Sequence, residues 1–283
     1  MTRPQIDIED LVRKELPPLP SSALRVSSLL QDANASTRAV AETIGHDPAL
    51  AARILRAANS PLYALERNVT SLPAAVIALG NQTLQALALV SAAADAFGKT
   101  SKRLPGAKKL WEHSILTGLV ARELSAALGM RGTDEAFVCG LLHDMGKLPM
   151  LQHDPEACAR ADARAAVCDD ELEALMIEQE SFGYTHAQVG ALICKRWGLP
   201  EGIGYAVLSH HHPSEAPQQM FMARLIDVAN QLANAPAEEG APDEGHPLAA
   251  AESSVTLHLT AAHLRASRAA ADSKLGEILA CFT

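Results

Sequence analysis

The adjacent side chains His143 and Asp144 combine an imidazole and a carboxylate at the end of an apolar, helix-like stretch. Further histidines lie before and after this pair, on segments that are each predicted to be separate helices. Neutral imidazole nitrogens and carboxylate oxygens are ligands of zinc, iron, manganese and similar divalent ions. The candidate metal ligands are His113, His143, Asp144, His186, His210 and His211.

Such a set of ligands would suit hydrolysis at a phosphate, because two metal ions that share a carboxylate activate water and hold a phosphate. Lys147 would add a mobile ammonium group that steadies the phosphate. The alternative for Lys147 is an exposed lysine in the last turn of a helix, where its charge favours the helix dipole. Glu180 is either a ligand, a partner of a ligand or, as we expect, a surface carboxylate.

Ligands on separate helices can meet only if those helices end at, or face, a common cavity. Apolar residues at helical spacing predict long helices on either side of the His143–Asp144 pair. The residues Thr185 to Gln188 form a capping-box sequence and predict the start of a helix at His186. The helices that would carry the ligands are predicted over 107–128, 133–143, 185–197, 200–212 and 220–233.

The N-terminal part reads as a series of short helices, with Asp47 and Pro48 as a helix start and Gly80 as a break. A basic stretch at 99–109 is either a solvated junction or a rim that attracts phosphate. Residues 153–170 look polar and irregular. Residues 236–247 form a break before a C-terminal helical tail. We therefore divide the chain into 1–104, 105–235 and 236–283.

The composition bounds the class of protein. Hydrophobic residues make up 48% and aromatic residues 4%, and the abundant alanine and leucine favour an all-α fold. The net charge of −9 argues against a general nucleic-acid-binding protein, though a local basic pocket for a small anion remains compatible. The five cysteines show no Cys-x-x-Cys spacing and read as reduced thiols. With no visible secretory signal and no apolar run of membrane-spanning length, we expect a cytoplasmic protein.

Taken together, these motifs resemble the HD superfamily of metal-dependent phosphohydrolases, and more specifically its HDOD domain proteins. The resemblance covers about residues 14–235. In the C-terminal half it rests on Trp111-Glu-His-Ser114, Gly140-Leu-Leu-His-Asp-Met-Gly-Lys147, His186-Ala-Gln-Val-Gly190, Trp197-Gly-Leu-Pro200 and His210-His211. In the N-terminal half it rests on Leu16-Pro-Pro-Leu-Pro20, Asp47-Pro-Ala-Leu50, Ala58-Asn-Ser-Pro-Leu-Tyr63 and Ala78-Leu-Gly80.

The resemblance implies an all-helical fold, in which an N-terminal helical subdomain packs on an HD-like bundle that is followed by a helical tail. It implies a role in bacterial signal transduction, usually without catalysis. It also implies one or two divalent ions held by the six candidate ligands. Asp144 and Lys147 would be the catalytic residues of an active protein. The related HD-GYP proteins hydrolyse cyclic di-GMP.

One position departs from the pattern of the HD enzymes. Their last ligand is an aspartate, whereas this chain has Asn230 in Val228-Ala-Asn230. Asp227 is the nearest carboxylate that could replace it, and the Gly-Tyr-Pro signature after the double histidine is absent. The first hypothesis is therefore a non-enzymatic signalling protein that keeps part of the metal site and binds a partner protein. The second is a metal-dependent phosphohydrolase acting on a nucleotide or cyclic dinucleotide. The tail either pairs with a second copy or docks on its own core.

Overall fold

A computed structural model describes residues 6–16, 19–32, 34–65, 67–167, 171–216, 220–236 and 246–282. All the secondary structure in these ranges is helical, which confirms the all-α prediction. The α-helices are α1 (Ile8–Glu15), α2 (Ser21–Gln31), α3 (Thr37–Gly45), α4 (Pro48–Ala58), α5 (Leu72–Ser101), α6 (Pro105–Ala127), α7 (Thr133–Leu142), α8 (Lys147–His153), α9 (Pro155–Ala165), α10 (Glu171–Phe182), α11 (His186–Arg196), α12 (Glu201–Ser209), α13 (Met220–Asn234), α14 (Glu252–Thr256) and α15 (Ala261–Phe282). Short 3-10 helices span Pro213–Glu215 and Pro247–Ala250.

Local capping fixes the helix starts that matter for the site. The Thr185 side chain accepts a hydrogen bond from the Gln188 backbone at 3.4 Å, and the Gln188 side chain accepts one from Thr185 N at 3.0 Å. This reciprocal pair is the predicted capping box, and it places His186 in the first turn of α11. Asp47 caps α4 in the same way, accepting hydrogen bonds from the backbone of Ala49 and Leu50.

The long helix α5 contains the predicted break. Gly80 has a φ of +74°, a backbone conformation that residues with a side chain rarely adopt, and two helical segments meet there. By length and composition, 72–100 would also suit a membrane span, so the expectation that no apolar run approaches that length is wrong. However, 56% of its most apolar window is buried inside the fold, as in the core helix of a soluble protein.

The N-terminal helices pack on the bundle formed by α6, α7 and the helices that follow, as expected. Arg122 on α6 is a central link between the two parts. Its guanidinium donates a hydrogen bond to Leu62 O at 2.8 Å, and it lies 5.1 Å from the centre of the Tyr63 ring. It also lies 3.4 Å from the Asp134 carboxylate of α7. The Ser-Pro-Leu-Tyr sequence thus contacts the bundle directly.

The C-terminal tail docks on its own core, which is one of the two arrangements considered from the sequence. Helix α15 packs along α6, where Lys274 donates a hydrogen bond to Glu123 at 2.6 Å. Arg56 of α4 donates to Cys281 O at 2.8 Å. The tail therefore contacts both the bundle and the N-terminal helices.

The expectation of irregular structure over 153–170 is wrong for most of that range. Asp154 caps α9 by accepting a hydrogen bond from Ala157 N at 2.9 Å, and Pro155 occupies the first turn. The helix is polar because it buries a single residue, Ala161. Residues 168–170 lie outside the described ranges, as do residues 237–245, which make up most of the predicted break at 236–247.

Two glycines let α6 and α7 approach to backbone contact. A Cβ placed on Gly140 would lie 2.8 Å from Gly118 Cα and 2.9 Å from Thr117 O. Neither atom belongs to a flexible side chain, so a larger residue would force the helices apart. The close crossing brings His113 on α6 near His143 at the end of α7.

We expect Gly140→Ala to lower the free energy of unfolding by at least about 2 kcal/mol, because overpacking at a rigid contact shifts the backbone. Gly276→Ala is the matched control, since Gly276 is an exposed helical residue of α15 with open space around its Cα. The control should gain about 0.5–1 kcal/mol from helix propensity. Urea denaturation followed by circular dichroism measures both, and equal midpoints for Gly140→Ala and wild type would contradict the close crossing.

Candidate metal centre

His143 and His210 are oriented by their own helix ends. His143 Nδ1 lies 2.7 Å from Gly140 O, and His210 Nδ1 lies 2.7 Å from Val207 O. A carbonyl oxygen can only accept, so each Nδ1 carries the proton and each Nε2 presents its lone pair. Both rings are completely buried. His143 Nε2 has no hydrogen-bond partner among the described residues.

His186 is oriented by a carboxylate on the neighbouring helix α10. Its Nδ1 lies 2.8 Å from Glu178 Oε2, and its backbone N–H donates to the same oxygen at 2.9 Å. A carboxylate that holds one ring nitrogen fixes the tautomer and leaves Nε2 available for a metal. Glu178 is therefore a functional residue that sequence reasoning missed.

Glu180, two residues along the same helix, was expected to be a surface carboxylate, and the structure confirms this. Glu180 lies at the surface, where it accepts a hydrogen bond from Arg164 at 2.9 Å. Two residues turn a helix by about 200°, so Glu178 and Glu180 face opposite ways. A signal was present, because Glu178 shares its face with the buried residues Leu175 and Phe182, three before it and four after it.

The nitrogens oriented in this way converge on Asp144. His186 Nε2 lies 3.1 Å from Asp144 Oδ1, 3.1 Å from His211 Nε2 and 3.5 Å from His210 Nε2. The ligand atoms of these four residues all lie within 4.8 Å of one another. Lone pairs of neutral imidazoles that face each other at this distance repel unless a proton or a metal ion lies between them. The donor set therefore fits a divalent cation.

A second group shares Asp144 with the first. It contains His113, His143 and Asp144, again with ligand atoms within 4.8 Å. His113 Nε2 lies 3.7 Å from Asp144 Oδ2 but only 3.0 Å from Asn230 Oδ1. The same amide oxygen accepts a hydrogen bond from Asn234 at 3.3 Å, so it acts as the acceptor and His113 Nε2 carries a proton. The His113 nitrogen that would bind a metal ion is therefore engaged in a hydrogen bond to Asn230.

Lys147 lies at the start of α8, so the alternative of an exposed lysine in a last helical turn is wrong. Its ammonium donates a hydrogen bond to Asp144 Oδ2 at 2.8 Å. Asp144 Oδ2 is thus already paired with the positively charged ammonium group of Lys147.

The electrostatics keep Asp144, His113 and His210 in the protonation states that metal binding requires. Burial raises the pKa of Asp144, but His143, Lys147 and His186 outweigh that effect and hold it well below the usual value. Burial, with His143 and Lys147, lowers the pKa of His113 to about 4. Burial also lowers the pKa of His210 well below its usual value. Near neutral pH, Asp144 is therefore a carboxylate and these two histidines are neutral imidazoles.

His186 is the exception among the ligands. Burial lowers its pKa, but the Glu178 and Asp144 carboxylates outweigh burial and raise it. A proton therefore competes with a metal at His186 more strongly than at His113 or His210, and the competition grows as the pH falls.

The approach of α8 to α11 depends on another glycine of the same motif. A Cβ placed on Gly146 would lie 2.0 Å from His186 O and 2.7 Å from Gly190 N. Only glycine permits this contact, which sets His186 beside Asp144. The two glycines of the Gly-Leu-Leu-His-Asp-Met-Gly stretch are thus required by packing around the site.

A cavity of about 390 Å³ opens in front of the candidate centre. Its lining includes Asp144, His186, Lys147 and Asn230, and Lys109 at its rim. Of the predicted basic junction, 105–109 belong to the first turns of α6. Lys109 is exposed and lines this cavity, and a role of this stretch in attracting phosphate stays a prediction.

Asp227 does not take the place of the aspartate that Asn230 lacks. Its carboxylate accepts hydrogen bonds from Ser253 at 2.5 Å and Gln231 at 2.5 Å. These contacts direct it towards α14, and it is not part of the cavity lining.

The profile of the HDOD domain matches residues 16–213. A solved structure from Shewanella amazonensis SB2B, provisionally named a phosphohydrolase, is 27% identical with a TM-score of 0.77, covering 96% of this chain and 98% of its own. An HDOD domain protein with unknown function from Geobacter sulfurreducens is 25% identical with a TM-score of 0.71, covering 98% of each chain.

Curated sequences match over shorter parts of their length. A Treponema pallidum (strain Nichols) protein whose name gives no function is 25% identical over 209 residues, which are 72% of this chain and 39% of that protein. Ribonuclease Y of Thermotoga maritima is 29% identical over 128 residues, which are 44% of this chain and 19% of the enzyme. This chain thus spans about two fifths of the first relative and about one fifth of the second. The match over residues 16–213, together with the solved structures that align along almost the whole chain, shows that this chain belongs to the HDOD domain family.

Proposed function

We propose that this chain is a regulatory HDOD protein of signal transduction that binds one divalent transition metal and acts without turnover. The observation that carries the proposal is the cluster of Asp144, His186, His210 and His211, whose ligand atoms all lie within 4.8 Å of one another, with His186 Nε2 3.1 Å from Asp144 Oδ1. His186, His210, His211 and Asp144 would hold the ion. Three imidazoles and one carboxylate suit zinc, iron or manganese.

The state of the second group supports a single ion. A second ion would have to displace the hydrogen bond between His113 and Asn230 and the ammonium of Lys147 from Asp144 Oδ2. It would gain no additional negative charge, because an amide replaces the expected carboxylate at position 230. The Lys147 ammonium thus already supplies, beside Asp144, part of the positive charge that a second ion would bring.

A metal at this position would join helix ends that are far apart in the sequence. Asp144 lies between α7 and α8, His186 begins α11, and His210 and His211 follow α12. Ligation would therefore stabilise the relative position of these helices, because a structural metal ion contributes its binding energy to folding. A partner protein in the signalling pathway would recognise the surface that this arrangement presents.

A second candidate function is hydrolysis of a phosphoester in a nucleotide or cyclic dinucleotide. It is favoured by the sharing of Asp144 between two ligand groups and by the cavity, whose volume suits a small ligand. Bound metal would supply an activated water. Lys147 and Lys109 would then contact the phosphate, and Asp144 would position the ions.

The first test is the metal content of protein purified without chelator. We expect close to one ion per chain by inductively coupled plasma mass spectrometry, because the four convergent ligands form a single closed donor set. Asp144→Ala and His186→Ala should each lose most of the metal. His46→Ala is the control, because His46 is an exposed residue at the end of α3. Metal far below one ion per chain, unchanged in Asp144→Ala, would contradict the proposal.

The role of Glu178 in orienting His186 gives a second test. Glu178→Gln keeps the side-chain shape but removes the charge that holds His186 Nδ1, and we expect metal affinity to fall about 10- to 100-fold. Glu180→Gln is the matched control on the same helix, at an exposed position that faces Arg164. Competition with a metal indicator measures both affinities, and equal affinities would show that the Glu178 contact does not support the ligand.

Restoring the missing carboxylate separates the two candidate functions. We expect Asn230→Asp to bind a second ion, because it adds a negative charge beside His113, whereas Asn34→Asp, at an exposed position outside the cavity, should not. The metal-loaded wild type should show no turnover on a panel of nucleotides, cyclic dinucleotides and bis(p-nitrophenyl) phosphate. Turnover by the wild type that disappears in Asp144→Ala would establish the phosphohydrolase instead.

A further inference from the structure

A second, larger cavity lies away from the candidate metal centre. It has a volume of about 870 Å³, and its walls come from α1, the C-terminal end of α5 and the junction of α8 with α9. Its floor includes the apolar residues Leu16, Ala96 and Leu104. Gln152 of α8 donates a hydrogen bond to Thr100 of α5 and joins two of its walls. We call this cavity the basic groove.

Cationic side chains dominate the lining of the basic groove. Its charged residues are Arg13, Lys14, Lys99, Lys102, Arg103 and a single acidic residue, Glu15. The Glu15 carboxylate lies 3.6 Å from His153 Nδ1 and so faces a histidine of α8. The charge of the groove is opposite in sign to the net charge of the chain, which is −9.

Three of the five cations lack an acidic partner within the described ranges, whereas Arg13 and Lys14 face Asp10 at 2.5 Å and 3.9 Å. The side chains of Lys99, Lys102 and Arg103 are exposed and form no ion pair or hydrogen bond there. Lys99 lies in the last turn of α5, where a positive charge favours the helix dipole, but Arg103 lies beyond the end of that helix. The helix dipole therefore does not account for the group, and the groove presents positive charge that an anionic partner would neutralise.

A second cavity of about 580 Å³ continues from the basic groove and shares Lys99 and Lys102 with it. Its apolar lining includes Trp111 and Phe97, whose ring centres lie 5.1 Å apart. Its two carboxylates are already paired, Asp95 with Arg53 at 2.7 Å and Glu112 with Lys108 at 3.7 Å. The two cavities thus form one elongated surface. Its floor is partly apolar, and Lys99 and Lys102 lie where the two cavities join.

We infer that this surface docks an acidic amphipathic segment of a partner protein. The cations would pair with carboxylates on one face of the segment, and the apolar floor would receive the other face. Two adjoining cavities that both have apolar lining residues suit a polypeptide segment better than an isolated phosphate. The strong net negative charge of the chain disfavours long polyanions and anionic membranes, because such partners would also face the acidic remainder of the surface.

The test uses a short helical peptide with glutamate on one face and leucine on the other, labelled for fluorescence anisotropy. We expect it to bind the full chain in a salt-dependent manner and a peptide with glutamine in place of glutamate to bind much more weakly. The variant Lys99→Gln/Lys102→Gln/Arg103→Gln should bind the acidic peptide about tenfold more weakly, because each rim charge contributes modestly.

The control variant removes the same number of charges elsewhere. Arg25→Gln/Lys195→Gln/Arg196→Gln changes exposed residues outside the groove and should bind like wild type. Circular dichroism melting of both variants checks that each is folded. Equal binding of the two peptides, no binding of the acidic peptide, or equal affinity of the groove variant and wild type would each overturn the inference. Tighter binding of a short single-stranded DNA or of phosphatidylserine vesicles, lost in the groove variant, would overturn it in favour of that partner.

Discussion

The carboxylate of Asp144 is almost completely buried, and the neighbouring helices are arranged to stabilise it. An ionised group in a protein interior is costly unless charges or hydrogen bonds compensate it. Here Lys147 donates a hydrogen bond to one oxygen, and His186 lies 3.1 Å from the other. These partners come from α8 and α11. The packing of these helices around α7 and the ionisation of Asp144 therefore depend on each other.

The histidines around Asp144 are oriented by a common device. Each of the three most deeply buried rings is fixed through Nδ1, in His143 and His210 by a carbonyl of the preceding helical turn and in His186 by Glu178. Fixing one nitrogen leaves the other with its lone pair directed at the shared centre. A lone pair that is held in place costs little reorganisation when a cation arrives, which is why such second contacts matter for metal sites. Asn230 has the opposite effect on His113, because its amide oxygen accepts a hydrogen bond from the nitrogen that would otherwise be a ligand.

The two described surfaces are joined by a short helix. Helix α8 begins with Lys147 at the candidate metal centre and contains Gln152, which lines the basic groove. The N-terminal helices contribute most of the groove, and Arg122 connects them to the bundle through Leu62 and Tyr63. The tail helix α15 adds further contacts with both parts. The N-terminal half is thus part of one packed unit with the centre, which agrees with a match of the HDOD profile across both.

Much of the fold and the identity of the candidate ligands followed from the sequence alone. Helix starts such as Asp47 and Thr185, and the break at Gly80, depend on backbone groups within a few residues of the chain. The histidines and Asp144 stood out because their types and their positions at helix ends are local properties. The sequence also identified Asn230 as the position that departs from the HD enzymes. The irregular structure expected before α10 was wrong because α9 is a polar helix with a single buried residue, so its sequence has little apolar periodicity.

Only the tertiary structure decided how these side chains are paired. It assigned Glu178 rather than Glu180 to His186, gave Lys147 to Asp144, and directed Asp227 to Ser253 instead of the cavity. These choices depend on the rotation of each helix about its axis and on the closeness of crossings at Gly118, Gly140 and Gly146. Helical periodicity gives the face of a helix, but the partner of that face lies on a distant segment. The sequence therefore determined which groups are available, and the packing of the helices determined which of them meet.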